Sequence, residues 1–170
     1  LENEFLPFLY PNQYVNFSPD SEASKLALSM VSENTSDIDA LKQIYNYVVN
    51  NLSYDYDKAE TVETGYLPDV DETLSTKTGI CFDYAALTTA MLRSCDIPCK
   101  LQIGYTGDIK HAWIDVYIRS KGWVTNAVSF NGDSWSLMDP TFDSSADSDD
   151  SEAIQDYIGN ADNYTVQFTR

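Results

Sequence analysis

Apolar residues recur at helical spacing in three stretches of the first hundred positions, and the period changes to two afterwards. Ala23, Leu26, Ala27, Met30 and Val31 form the first stripe, and Ser18-Pro19 ahead of it reads as an N-cap with proline at the first helical position. Ile38, Leu41, Tyr45 and Val48 form the second, opened by Ser36 with Asp39 as an incomplete capping box and ending around Asn50-Asn51. The third runs from Cys81 to Ser94 and must stop before Ile97-Pro98, because the residue ahead of proline is pushed out of the helical region. Residues 53 to 79 hold no sustained period, which predicts a loop bordering a cleft, with room for one short helical turn.

After Pro98 the chain alternates. Leu101, Ile103 and Tyr105 predict one strand; Ala112, Ile114, Val116 and Ile118, set against His111, Trp113, Asp115 and Tyr117, predict another. Asn131-Gly132 signals a hairpin, residues 148 to 159 a short helix ending at Gly159, and residues 163 to 169 a last strand. Residues 1 to 17, with Pro7, Pro11 and no helical period, predict an extended arm laid on the body. Helices first and strands later make an α+β order, with N-terminal helices packed on an antiparallel sheet, and no internal repeat is visible. At 170 residues the expectation is a single domain spanning residues 1–170.

Composition adds an electrostatic constraint. The formal net charge is −17, from 27 acids against 10 bases, so nucleic acid and anionic membrane surfaces are repelled over most approaches. No apolar run is long enough to span a bilayer, so no membrane insertion of this domain is expected. The acidity suits an exported or cell-surface domain, and the start at Leu1 reads as a chain whose leader has been removed or left out.

Candidate chemistry begins at Cys81, the first residue of the third helix. A thiol there meets the positive end of the helix dipole, which lowers its pKa and favours the thiolate nucleophile; a buried structural cysteine is the bland alternative. Gly79 allows close backbone approach just ahead of it, and Asp83 reads as a cap, not a catalyst. His111 is the only histidine, hence the only imidazole base available. The orienting third group cannot be Asp115, about 13 Å along the same strand. Asp139 can lie beside His111 if the chain reverses once between them, which predicts an irregular excursion over residues 119 to 126. Three cysteines and one histidine could suggest zinc, but Cys81 and Cys95 stand about 21 Å apart on one helix, so neither a metal nor another cofactor is expected. The acidic run at 143–152 lacks the glycine and spacing of a calcium loop. Cys95 and Cys99 flank a bend that could bring them within disulfide range, leaving Cys81 free.

The order of these motifs resembles the transglutaminase-like superfamily of papain-fold cysteine enzymes. TGICFDYAALTTAMLRSCDIPCKLQIGY matches its nucleophile helix and following strand, HAW at 111–113 its histidine motif, and MDPTF at 138–142 its aspartate motif. The later YIGNADNYTVQFT is similar to the end of a bacterial extracellular subgroup. The resemblance implies Cys81 as nucleophile, His111 as base and acid, Asp139 as orienting residue, and a peptide or protein substrate. No tryptophan precedes Cys81 to complete an oxyanion hole, and Ser75 stands where papain-like proteases carry glutamine. Tyr54 is the candidate second donor or simply a packed aromatic; Trp113 walls the cleft or fills the core. The expected activity is hydrolysis of a peptide or side-chain amide through a thioester. Cross-linking of glutamine to amines and a noncatalytic peptide- or glycan-binding module are the alternatives.

Overall fold

The computed structural model describes residues 4–63, 65–106, 109–131, 134–137 and 165–170. Its helices are α1 (Glu22–Met30), α2 (Asp37–Asn51), α3 (Tyr56–Thr61), α4 (Val70–Thr76) and α5 (Cys81–Ser94). Two-residue strands β1 (Ser53–Tyr54) and β2 (Thr78–Gly79) pair in parallel. The remaining strands are β3 (Cys99–Thr106), β4 (Ile109–Ile118), β5 (Gly122–Asn131), β6 (Ser134–Leu137) and β7 (Thr165–Thr169). They form one antiparallel sheet in the order β6-β5-β4-β3-β7. The α+β architecture read from the periodicity is the one observed.

The molecule is organised around α5. Every residue from Cys81 to Arg93 is buried, as befits a helix enclosed on all sides. It packs against α1, α2 and α4, and against β3, β4 and β5. The sheet meets the core through Leu101 and Ile103 of β3, Ala112, Ile114, Val116 and Ile118 of β4, and Val128 and Phe130 of β5. Each large aliphatic group buried there contributes about 1.5–3 kcal/mol. Arg93 is buried in this interior, and its guanidinium donates to the Cys99 carbonyl at 2.7 and 3.1 Å and to the Tyr10 carbonyl at 3.0 Å. One side chain thus ties α5 to the start of β3 and to the N-terminal arm.

That arm contains a 3-10 turn at Leu6–Phe8 and lies where the sequence placed it, on the body. The Phe5 ring sits 4.6 Å from Tyr117, Phe8 5.6 Å from Trp123, and the Lys100 ammonium 4.1 Å from the Trp123 ring. Tyr117 and Trp123 are partners across the β4–β5 ladder, on the face that alternates with the core residues. The arm therefore covers the side of the sheet turned away from α5.

Four expectations change. First, α1 starts at Glu22 with Ser21 as N-cap, because Ser18 and Pro19 are used in a turn closed by the Ser21 N–H on the Ser18 carbonyl. Second, the segment 53–79 is more ordered than a loop. Asp55 and Asp69 each accept from a backbone N–H three residues on, and these two caps open the short helices α3 and α4.

Third, residues 119 to 126 are not an irregular excursion. Lys121 N–H closes a tight turn on the Ile118 carbonyl, Gly122 takes φ 87°, and β5 then pairs along β4. The mismatch is absorbed by a bulge between Ile114 and Val116, where Asn126 adopts φ 55°. Asp115 holds that bulge, accepting from Asn126 N–H at 2.9 Å and from the Gln102 amide. Its carboxylate is committed to the fold, and burial raises its pKa.

Fourth, Cys95 and Cys99 are both free thiols. Cys99 is fully buried and directs its sulfur to the Thr89 hydroxyl at 3.7 Å, whereas Cys95 lines a cavity of about 380 Å³ with Leu28, Ser32, Asp96 and Ile97. The two side chains serve different environments, so the bend at Ile97-Pro98 does not join them. Burial pushes Cys99 up to about 12 and Cys95 up to about 11. Asp139 and the helix expected at 148–159 lie outside the described residues.

Candidate active site

The approach to Cys81 is made by β2. Tyr54 of β1 lies opposite Gly79, and the Asp55 N–H donates to the Gly79 carbonyl at 2.9 Å. Gly79 is required by space, because a Cβ built there would lie 2.6 Å from Asp83 Cβ. Ile80 is the N-cap but offers no side-chain acceptor, and the Asp83 carboxylate reaches back to its N–H at 2.9 Å. Asp83 is thus a cap, as its position implied, and it is completely buried. Cys81 follows as the first helical residue, 4% exposed, at the positive end of the α5 dipole.

One turn along, Tyr84 orients this helix on the sheet. Its ring lies 5.5 Å from Phe130 and stacks on Trp135 at 5.5 Å. Phe130 pairs with Ala112 and with Trp135 across the ladders, and Ala112 is next to His111. The turn of α5 that carries Tyr84 therefore packs on the Phe130–Ala112 pair of the sheet, next in sequence to His111. His111 pairs with Gly104 on one side and Asn131 on the other, and is 4% exposed. Burial holds its pKa below the ordinary imidazole value, so near neutral pH the ring is uncharged and able to accept a proton.

Trp113 alternates with the aliphatic residues of β4 and is buried, 3% exposed. Tyr54 is half-buried, with Tyr56 at 5.0 Å in an edge-on contact, and both stand close enough to Tyr84 to help burial raise that phenol to about 12. The structure thus brings Tyr54 to the entry of the Cys81 helix. The tryptophans do all belong to strands, yet Trp135 reaches the first turn of α5 through Tyr84. Among the described residues, no group of three or more His, Cys, Asp or Glu is placed to hold a metal ion, and no helix is long and apolar enough to cross a membrane.

Sequence reasoning missed what surrounds Asp83. Lys58 of α3 places its ammonium 2.9 Å from Asp83 Oδ2, and Tyr66 donates its hydroxyl to Asp83 Oδ1. Lys58 also bonds the Tyr66 hydroxyl and lies 4.5 Å from its ring centroid. Burial pushes the Tyr66 phenol up to about 12, with the Asp83 carboxylate adding to it. For Lys58 burial opposes the charge, but Tyr66 and Asp83 outweigh it and raise the pKa. Nothing in the non-periodic stretch 53–79 singles out either residue, since neither spacing nor motif points them at α5.

Comparison with known proteins agrees with this framework. A UPF0252 protein of Methanocaldococcus jannaschii is 40% identical over 62 residues, covering 34% of this chain and 18% of its own. The uncharacterized protein YebA of Bacillus subtilis is 26% identical over 141 residues, covering 69% of this chain and 19% of its own. The chain therefore spans about a fifth of the length of the curated relatives it matches. A solved structure from Cytophaga hutchinsonii, whose name proposes a cysteine protease, shares the fold with a TM-score of 0.57 at 24% identity, covering 77% of this chain and 42% of that one. The model of the transglutaminase-like superfamily matches residues 24–140, a span that runs from within α1 through α5 and the β3–β6 meander, and this chain belongs to that superfamily.

Proposed function

We propose that the chain is a cysteine-dependent acyl-transfer enzyme that hydrolyses a peptide or side-chain amide. The observation that carries the reading is the placement of Cys81 as the first residue of α5, a helix whose Tyr84 packs on Phe130, the ladder partner of Ala112 beside His111. In the proposed reaction His111 takes the thiol proton and the Cys81 sulfur attacks the amide carbonyl, forming a C–S bond. His111 returns the proton to the leaving amine as the C–N bond breaks, giving a thioester. Water, deprotonated by His111, then cleaves the C–S bond to give the carboxylic acid and the free thiol. Asp139 is the proposed partner that orients the imidazole. Tyr54, held opposite Gly79, supports a second donor to the oxyanion beside the backbone at the helix start.

Hydrolysis is tested against transamidation by mass spectrometry of a peptide-amide library incubated with and without a primary amine. Cleavage or deamidation in both reactions is expected, with Cys81→Ala inactive and Asp139→Ala severely impaired. Amine adducts as the dominant product would reassign the chain to cross-linking chemistry, and the net charge of −17 would then serve to attract lysine donors.

A further inference from the structure

Asp83 is costly to the chemistry proposed for Cys81. Its carboxylate is needed to cap Ile80, because that residue carries no acceptor. Yet it places a negative charge in the same first turn as the thiol, where a like charge disfavours thiolate. The charge cannot be dispersed into solvent, since the Asp83 side chain is 0% exposed. Its oxygens are engaged by Ile80 N–H, the Tyr66 hydroxyl and the Lys58 ammonium, so it is not a free acid or base. Lys58 is the one cation in contact with it among the described residues, and arrives from α3, a separate element.

We propose that Lys58 is a positioning residue for the Cys81 thiolate: its ammonium neutralises the carboxylate that the helix start requires, and so keeps the thiol reactive near neutral pH. This rests on the reading of Cys81 as nucleophile. The same contact fastens α3 to α5 and thereby holds Tyr54, two residues ahead of α3, beside Gly79. Among the described residues, the other titratable groups around this turn are His111 on β4, Tyr54, Asp55 and Tyr56 at the β1–α3 edge, Tyr66 ahead of α4, and Tyr84 one turn along α5. Of the acids on α4, Asp71 is directed to α1, accepting from Ala23 N–H at 3.1 Å. None of these supplies a positive charge to offset Asp83 while His111 is neutral.

The test is the pH profile of Cys81 alkylation by iodoacetamide, read by mass spectrometry of the Cys81 peptide so that Cys95 and Cys99 do not contribute. In Lys58→Met the Asp83 carboxylate keeps its bonds from Ile80 N–H and the Tyr66 hydroxyl. The profile is expected to move up by about one pH unit, which is about a tenfold loss of rate below the midpoint. Lys58→Arg should keep the wild-type profile. Asp83→Asn, which retains an oxygen for Ile80, should move it down, and Lys58→Met combined with Asp83→Asn should return it to the wild-type position. A Lys58→Met profile superimposed on wild type overturns the proposal, and so does a double variant that remains displaced, which would mean that α3 had merely moved. If His111→Ala leaves the alkylation profile unchanged while the Lys58 shifts appear, the catalytic pair fails and the role of Lys58 stands.

Discussion

Gly79→Ala isolates the close approach that brings β2 to the nucleophile helix. Gly79 does not adopt a positive φ, so the substitution tests space and not backbone freedom. The new methyl would sit 2.6 Å from Asp83 Cβ, 3.0 Å from Oδ2 and 3.1 Å from Cγ, and carbon atoms do not settle that close. Asp83 has nowhere to swing, being tied to Ile80, Tyr66 and Lys58. Either β2 separates from α5 or the buried carboxylate loses a partner. Overpacking of this kind costs about 1–3 kcal/mol, and an unmade bond to a buried charged group adds about 1–3 kcal/mol. A combined loss of about 3 kcal/mol corresponds to a fall in Tm of about 6–12 °C for a chain of this size. The assay is thermal unfolding by circular dichroism, with urea unfolding to confirm an unchanged m-value. A Tm within about 2 °C of wild type would refute the close-packing argument and, with it, the fixed geometry of the helix start.

Arg93→Met fills much of the same volume but leaves the carbonyls of Cys99 and Tyr10 without their donor, and urea unfolding should show a loss of about 2–4 kcal/mol; a loss below about 1 kcal/mol would mean that those contacts add nothing. The Arg119 guanidinium and backbone N–H both donate to Asp37, chiefly the side-chain bond, and hold its carboxyl below the usual range. A depressed carboxylate pKa stabilises the fold above the unfolded value near 4, and that stability disappears as the pH falls through the folded value. Arg119→Gln should therefore lower Tm at pH 7 and converge with wild type at low pH, whereas a difference that persists in acid would contradict the pairing.

Local periodicity was enough for much of this protein. The bounds of α5, the Ser36 cap of α2 and the alternating strands β3 and β4 follow from the order of apolar residues, because each element buries one stripe or one face and the chain must repeat accordingly. The place of Cys81 at a helix start and of His111 in a strand was legible, because each is a local feature of the apolar pattern. The superfamily was legible for a related reason, its motifs being short runs in fixed order.

Contacts between elements decided the rest. Alternation cannot report that β5 carries a bulge at Asn126, because the two-residue register shift is absorbed against a partner strand and held by Asp115, eleven residues earlier. The free state of Cys95 and Cys99 depends on where each sulfur points, which proximity along the chain does not specify. Lys58 and Tyr66 stand in a stretch without period, and only folding brings them to Asp83, 25 and 17 residues away in sequence. A buried charge must find its partner in three dimensions, and the energy that selects that partner is not written in the spacing of either residue.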